Sequence, residues 1–209
     1  EQVLKDHSET TRTVWLRARL GMENDRLRVA TQAVGLVNPK LSKTVNEIYL
    51  NPGKYLNDKL TAFQPKTREM VTLALIRQAY LDPAEAAHEM GKLRWKAQLT
   101  DEERNWLWGV IGKRAALKMS NDAVDYFARG TASDMHDDHL AWQARAALRM
   151  GRWTQVLGSI EAMSETQRND PTWVYWRARA LLRQPATEGA NAQAQQLFQS
   201  IAGVRGFYE

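Results

Sequence analysis

The sequence predicts an all-α fold, a solenoid of stacked antiparallel helix pairs, and three observations carry that expectation. Apolar residues recur at helical spacing along most of the 209 residues, while the period-two alternation of strands is missing. Gly and Pro are few, 12 and 6, so long stretches can run as uninterrupted helix. Trp108, Trp142 and Trp176 are evenly spaced, and their interval matches the length of one helix-turn-helix unit.

The elements follow in order. Trp15-Leu16-Arg17-Ala18-Arg19-Leu20 belongs to a first helix that Gly21 is expected to end. Asn51-Pro52-Gly53 reads as the turn between the first two helical patterns. Val71 with Leu75, and Leu73 with Ile76 and Tyr80, fit i, i+3, i+4 spacing. Asp82-Pro83 and Asp170-Pro171 each place a cap before a first-turn proline, which lacks only an N–H that a helix start leaves unpaired anyway. Thr100-Asp101-Glu102-Glu103 is a capping box, with the Thr hydroxyl and the Glu103 carboxylate satisfying each other's backbone N–H.

Ser120-Asn121 should break the helix that ends Arg114-Ala115-Ala116-Leu117-Lys118-Met119. Asp134 is expected to cap the next, whose stripe is Leu140, Ala144, Ala147 and Leu148. Gly151 ends it, and Val156, Ile160 and Met163 mark its partner. Arg145-Ala146-Ala147-Leu148-Arg149 returns at the tryptophan interval as Arg179-Ala180-Leu181-Leu182-Arg183, before a break at Gln184-Pro185. The breakers recur at roughly 30–38 residues, which implies about six diverged helix pairs. A single pair cannot bury its apolar face, so neighbours must stack, and residues 1–209 read as one helical-repeat domain.

Composition narrows the class. With 44% hydrophobic and 25% charged residues the chain is neither disordered nor collagenous. Cys is absent, which removes disulfides, thiolate metal sites and Cys nucleophiles together. Mean hydropathy is −0.54, and no apolar run approaches the ~20 residues of a membrane span. The start Glu1-Gln2-Val3-Leu4-Lys5-Asp6 has neither the basic opening nor the apolar stretch of a signal peptide. It also lacks an initiator Met, which suggests a trimmed or excised piece of a longer chain. A net charge of +5 favours acidic partners or a simply basic surface.

Few residues suggest chemistry. His136-Asp137-Asp138-His139 places two imidazoles at i, i+3, yet the acids fit a helix start better than a metal site. His88-Glu89 begins a zincin motif, but Lys92 stands where the second ligand belongs. Gly109 and Gly112 follow no strand and precede no Gly-Lys-Ser/Thr, so no phosphate loop is expected. Glu102-Glu103 belongs to the capping box, Glu161 and Glu165 flank a helix break, and nothing marks a carboxylate as buried for acid catalysis. The expectation is therefore no catalytic residue, no metal and no cofactor. Eight Trp are many. The three at regular spacing read as inter-helix core, whereas the less patterned Trp95, Trp106 and Trp153 are the candidates for stacking on a sugar face.

The last third carries a resemblance. Trp173-Val174-Tyr175-Trp176-Arg177-Ala178-Arg179-Ala180-Leu181-Leu182, Ala194-Gln195-Gln196-Leu197-Phe198 and Arg205-Gly206-Phe207-Tyr208 resemble bacterial soluble lytic transglycosylases, and Trp142-Gln143-Ala144-Arg145-Ala146 with Gly151-Arg152-Trp153 resembles the preceding repeat. The resemblance implies a tetratricopeptide-like superhelix, part of a ring or horseshoe, that carries a linker and a goose-lysozyme-like catalytic domain in the periplasm. Such enzymes cleave the MurNAc–GlcNAc bond of peptidoglycan to 1,6-anhydro-muropeptides, using a Glu in a Glu-Ser motif. This sequence contains no Glu-Ser dipeptide, so no catalytic residue carries over. The implied partners are a peptidoglycan strand, the enzyme's own linker and catalytic domains and other cell-wall proteins, with no nucleic acid. The rivals are a free-standing adaptor that binds protein peptides and a helical-repeat RNA binder, the latter disfavoured because the repeat lacks a regular base-reading code.

Overall fold

A computed structural model describes residues 2–184 and 189–203, with side chains described from residue 10 onward. The expected stretch Arg205 to Tyr208 and the break at Pro185 lie outside the described residues. Among the described residues the chain is all-helical, with one short 3-10 turn and no strand. It forms two compact units, Glu1–Ile111 and Gly112–Glu209.

In the first unit α1 (Gln2–Glu23) packs on α2 (Leu27–Val37). Gly21 does not end α1. The helix runs past it, and a Cβ there would sit 2.8 Å from the Ala30 backbone nitrogen, so this glycine lets α2 approach. The chain reverses at Asp25, whose φ of 58° allows Arg26 N–H to donate back to Gly21 C=O at 2.8 Å. α3 (Leu41–Leu50) follows, and Asn51-Pro52-Gly53 is no free turn: Asn51 accepts from Lys54 N–H and Pro52 begins α4 (Pro52–Asp58). α5 (Pro65–Leu81) is buried nearly all round from Met70 to Arg77, and α1, α3, α4 and α6 (Pro83–Gly91) pack against it. The short α7 (Leu93–Gln98) leads to α8 (Asp101–Leu117).

Arginine–carboxylate pairs tie this unit. Arg19, 4% exposed, donates Nε and Nη2 to Glu69 at 2.9 and 2.8 Å and Nη1 to Glu102 at 2.7 Å, joining α1, α5 and α8. Burial opposes its charge, but the two carboxylates outweigh burial and raise its pKa further. Arg77 donates to Tyr49 C=O and to Asp25, and its guanidinium stacks on the rings of Tyr49 and Tyr80.

In the second unit α9 (Ala123–Phe127) is followed by the 3-10 turn Ala132–Asp134. Asp134 therefore lies inside that turn rather than at the N-cap of the next helix; α10 (Asp137–Arg149) begins after His136. α10 pairs with α11 (Trp153–Glu161), and after the single turn of α12 (Glu165–Arg168) α13 (Pro171–Leu181) pairs with α14 (Ala190–Ile201). Phe127, Leu140, Ala144, Val156, Ile160 and Trp173 form its core. Gly151 ends the helix as expected; its φ is 65°, and Arg152 N–H donates to Ala147 C=O at 2.9 Å. The break expected at Ser120-Asn121 begins slightly earlier: α8 ends at Leu117, and Met119 takes a left-handed conformation, with φ 59°.

Candidate functional site

The aromatic residues sort by burial. Trp95 is fully buried and donates its indole N–H to Glu89 at 3.3 Å, and Trp106 is 5% exposed under the Arg19 guanidinium. Neither offers an open ring face to a sugar in this structure. Trp153, the first residue of α11, is only half-buried, and the Arg183 guanidinium carbon lies 5.3 Å from its ring centre. Of the regularly spaced tryptophans, Trp108 is core at 8% exposure, while Trp142 and Trp176 are half-buried at the edge of the second unit's core. Trp173, just before Trp176 on the same helix, takes the central position instead.

A site takes shape on α10. Trp142, Arg145, Ala146 and Arg149 stand at i, i+3, i+4 and i+7, hence on one helix face. With Ala116 near the end of α8 and Met119 in the turn after it, they line a largely apolar cavity of about 320 Å³. The left-handed Met119 turns the chain beside this cavity, and Ser120 N–H closes the turn on Ala115 C=O at 2.9 Å. Arg149 holds the turn by donating to Met119 C=O, to Ser120 C=O at 2.7 Å and to Asn121 Oδ1 at 3.0 Å. Arg145 is exposed, and its guanidinium carbon lies 5.1 Å from the ring centres of both Trp142 and Trp173. Among the described residues no carboxylate reaches Arg145 or Arg149.

The arrangement recurs in sequence. Trp-x-x-Arg-x-x-x-Arg at Trp142, Arg145 and Arg149 returns one repeat later at Trp176, Arg179 and Arg183. Arg179 donates to the Tyr175 hydroxyl at 3.3 Å, and Arg183 lies on Trp153. The second arginine of each copy is thus positioned by carbonyls or a ring, and among the described residues neither Arg179 nor Arg183 has a carboxylate partner. The signal that could have revealed this face was the repetition of the arginines together with the tryptophan, rather than the tryptophan alone.

The buried carboxylates do something else. Glu89, 5% exposed, takes Lys92, Arg94 at 3.3 Å and the Trp95 indole; burial opposes its charge, but these donors win and hold its pKa below the usual range. A general acid needs the opposite shift. Glu103 accepts from Arg68 and from Thr100 N–H, completing the capping box. In the His136–His139 stretch the ring centres are 3.6 Å apart, and the acids between them are engaged: Asp137 accepts from Ser164 N–H and hydroxyl, and Asp138 pairs with Lys113.

No family model and no curated protein matches this chain. Among solved structures it is similar to an inactive mutant of the lytic transglycosylase Slt from Pseudomonas aeruginosa, with 23% identity and a TM-score of 0.63. The match covers 95% of this chain and 32% of that one, so the chain spans 32% of the length of its structural neighbour. At that identity the likeness is one of fold. No helix among the described residues is long and apolar enough to cross a membrane.

Proposed function

We propose that this chain is the helical scaffold of a periplasmic peptidoglycan lytic transglycosylase, a domain that positions a murein strand or the enzyme's catalytic domain and breaks no bond itself. The observation that carries this reading is the fold likeness to a lytic transglycosylase along 95% of the chain. The sequence words of the α10 and α13 repeats point the same way. Murein is an acidic polymer, and the face formed by Trp142, Arg145 and Arg149 offers it guanidinium groups beside apolar surface. Such contacts are weak individually, ~0–1 kcal/mol for exposed charges, and are screened beyond ~8 Å at physiological salt.

The test is a pull-down on purified sacculi at low and physiological salt, with native murein and with murein whose peptide carboxylates are amidated. Retention should fall with salt and with amidation, and no anhydro-muropeptide should be released. Absence of retention under every condition would remove the strand-positioning role. Release of anhydro-muropeptides that stops on changing any one Glu would make the chain a catalyst.

A further inference from the structure

We propose that the cavity on α10 is a binding site for a peptide carboxylate carried on small side chains, with Arg145 as the residue that grips it. This names the ligand chemistry of the face invoked above and rests on that reading. Three features of the cavity select this ligand.

The first is charge without cancellation. Arg145 is exposed, and among the described residues its contacts are two indole rings, which attract a guanidinium but leave its charge in place. A carboxylate is the acceptor whose planar pair of oxygens matches the guanidinium fork, and such pairs are often bidentate.

The second is preorganisation. A free arginine must give up rotamer freedom to bind. Trp142 and Trp173, each 5.1 Å from the guanidinium carbon, hold Arg145 before any ligand arrives. Trp173 is itself fixed in the core at 3% exposure, so the clamp has a rigid wall.

The third is the size and character of the walls. Ala116 and Ala146 leave room, and Met119 and Trp142 supply apolar contact, within about 320 Å³. That volume suits a residue or two with methyl-sized side chains, while a bulky aromatic peptide would compete with Trp142 for the same space. Arg149 adds positive charge at the rim while its N–H groups hold the Met119–Asn121 turn.

The probes are N-acetyl-alanyl-alanine and its C-terminal amide, titrated into the full chain and followed by the tryptophan indole N–H signals in NMR. The acid should move the Trp142 indole signal saturably, and the amide should bind about tenfold more weakly or worse, since a hydrogen-bonded charge is lost. Arg145→Gln should abolish the difference between acid and amide. Arg145→Lys keeps the charge but loses the planar fork, and should recover only part of it. Lys66→Gln, which removes one exposed charge from the other unit, should change nothing. Equal binding of acid and amide, no binding of either, or full binding by Arg145→Gln overturns the site. Sacculus retention by the same samples separates the two ideas: retention without peptide binding defeats this site alone, whereas loss of both defeats the strand-positioning reading as well.

Discussion

Replacing Gly112 with alanine adds one methyl group to the middle of α8, and the structure says where it goes. The new Cβ would lie 2.7 Å from two carbons of the Phe127 ring and 2.8 Å from a third. Carbon atoms rest at about 3.5–4.0 Å, so the ring must retreat by nearly 1 Å. Phe127 is fully buried in the second unit's core, and overpacking of this kind costs ~1–3 kcal/mol. Alanine also favours the helix over glycine by roughly 0.5–1 kcal/mol, which offsets part of that cost. The net expectation is a loss of ~0.5–2 kcal/mol. Gly158→Ala is the matched control: it lies within α11, and its Cβ would meet nothing within 4 Å, so it should gain roughly 0.5–1 kcal/mol from the same helix term. Urea unfolding of the three proteins at equal slope reads the difference as a change in midpoint. If Gly112→Ala stabilises the protein as much as Gly158→Ala does, the packing of Phe127 on α8 is not what requires a glycine here.

Arg19→Met should destabilise the first unit by ~3 kcal/mol, because it strands the half-buried Glu69 carboxylate; adding Glu69→Leu should recover most of the loss in the same unfolding assay. Thr100→Ala removes one arm of the capping box on α8 and should cost ~1 kcal/mol, measured as a shift in unfolding midpoint. Glu89 and Asp25 both have pKa values held below their usual 4.5 and 3.8, so their contribution to stability is present above those values and is lost as pH falls through the lowered ones. Stability should therefore drop as pH falls through that range, and Glu89→Gln should flatten part of the drop when midpoints are measured across it.

What was legible in the sequence is what local chemistry decides. The capping box at Thr100 and Glu103, and the caps at Asp82 and Asp170, form because the bonded groups are near neighbours along the chain. The helix breaks at Gly151 and between Glu161 and Glu165 were visible for the same reason. Gly21 was misread as a stop because its role is tertiary: only the approach of Ala30 shows why a side chain is excluded. The Arg19 network joins residues 50 and 83 positions apart, so no spacing rule exposes it. Glu89 is a middle case. Its partners Lys92, Arg94 and Trp95 follow closely in the chain, but its burial depends on how α6 packs on α5. The evenly spaced tryptophans fall on α8, α10 and α13, yet Trp173 rather than Trp176 fills the core, since residues at i and i+3 on a helix share a face and spacing alone cannot rank them.

Arginine is held in two ways in this chain: by carboxylates, as at four positions of the first unit and at Arg152 and Arg177 of the second, or by rings and carbonyls alone. In the first unit Arg19, Arg68, Arg77 and Arg94 end on carboxylates, so each uses its charge to join one segment to another. In the second unit Arg145 and Arg183 are held by tryptophan rings, Arg179 by a tyrosine and Arg149 by backbone carbonyls and an amide. A ring or a carbonyl also orients a guanidinium, but it contributes no full negative charge. These four therefore keep a positive charge with no anion beside it among the described residues, whereas the charge of Arg19 and its counterparts is balanced by a paired carboxylate. A role limited to helix packing would be served equally by arginine paired to Asp or Glu, the solution the first unit uses at those four positions. Trp-x-x-Arg-x-x-x-Arg occurs in two successive repeats, with aromatic or carbonyl support for every arginine and no acid among the described residues to cancel any of them. That is the pattern expected where the missing anion comes from outside the chain.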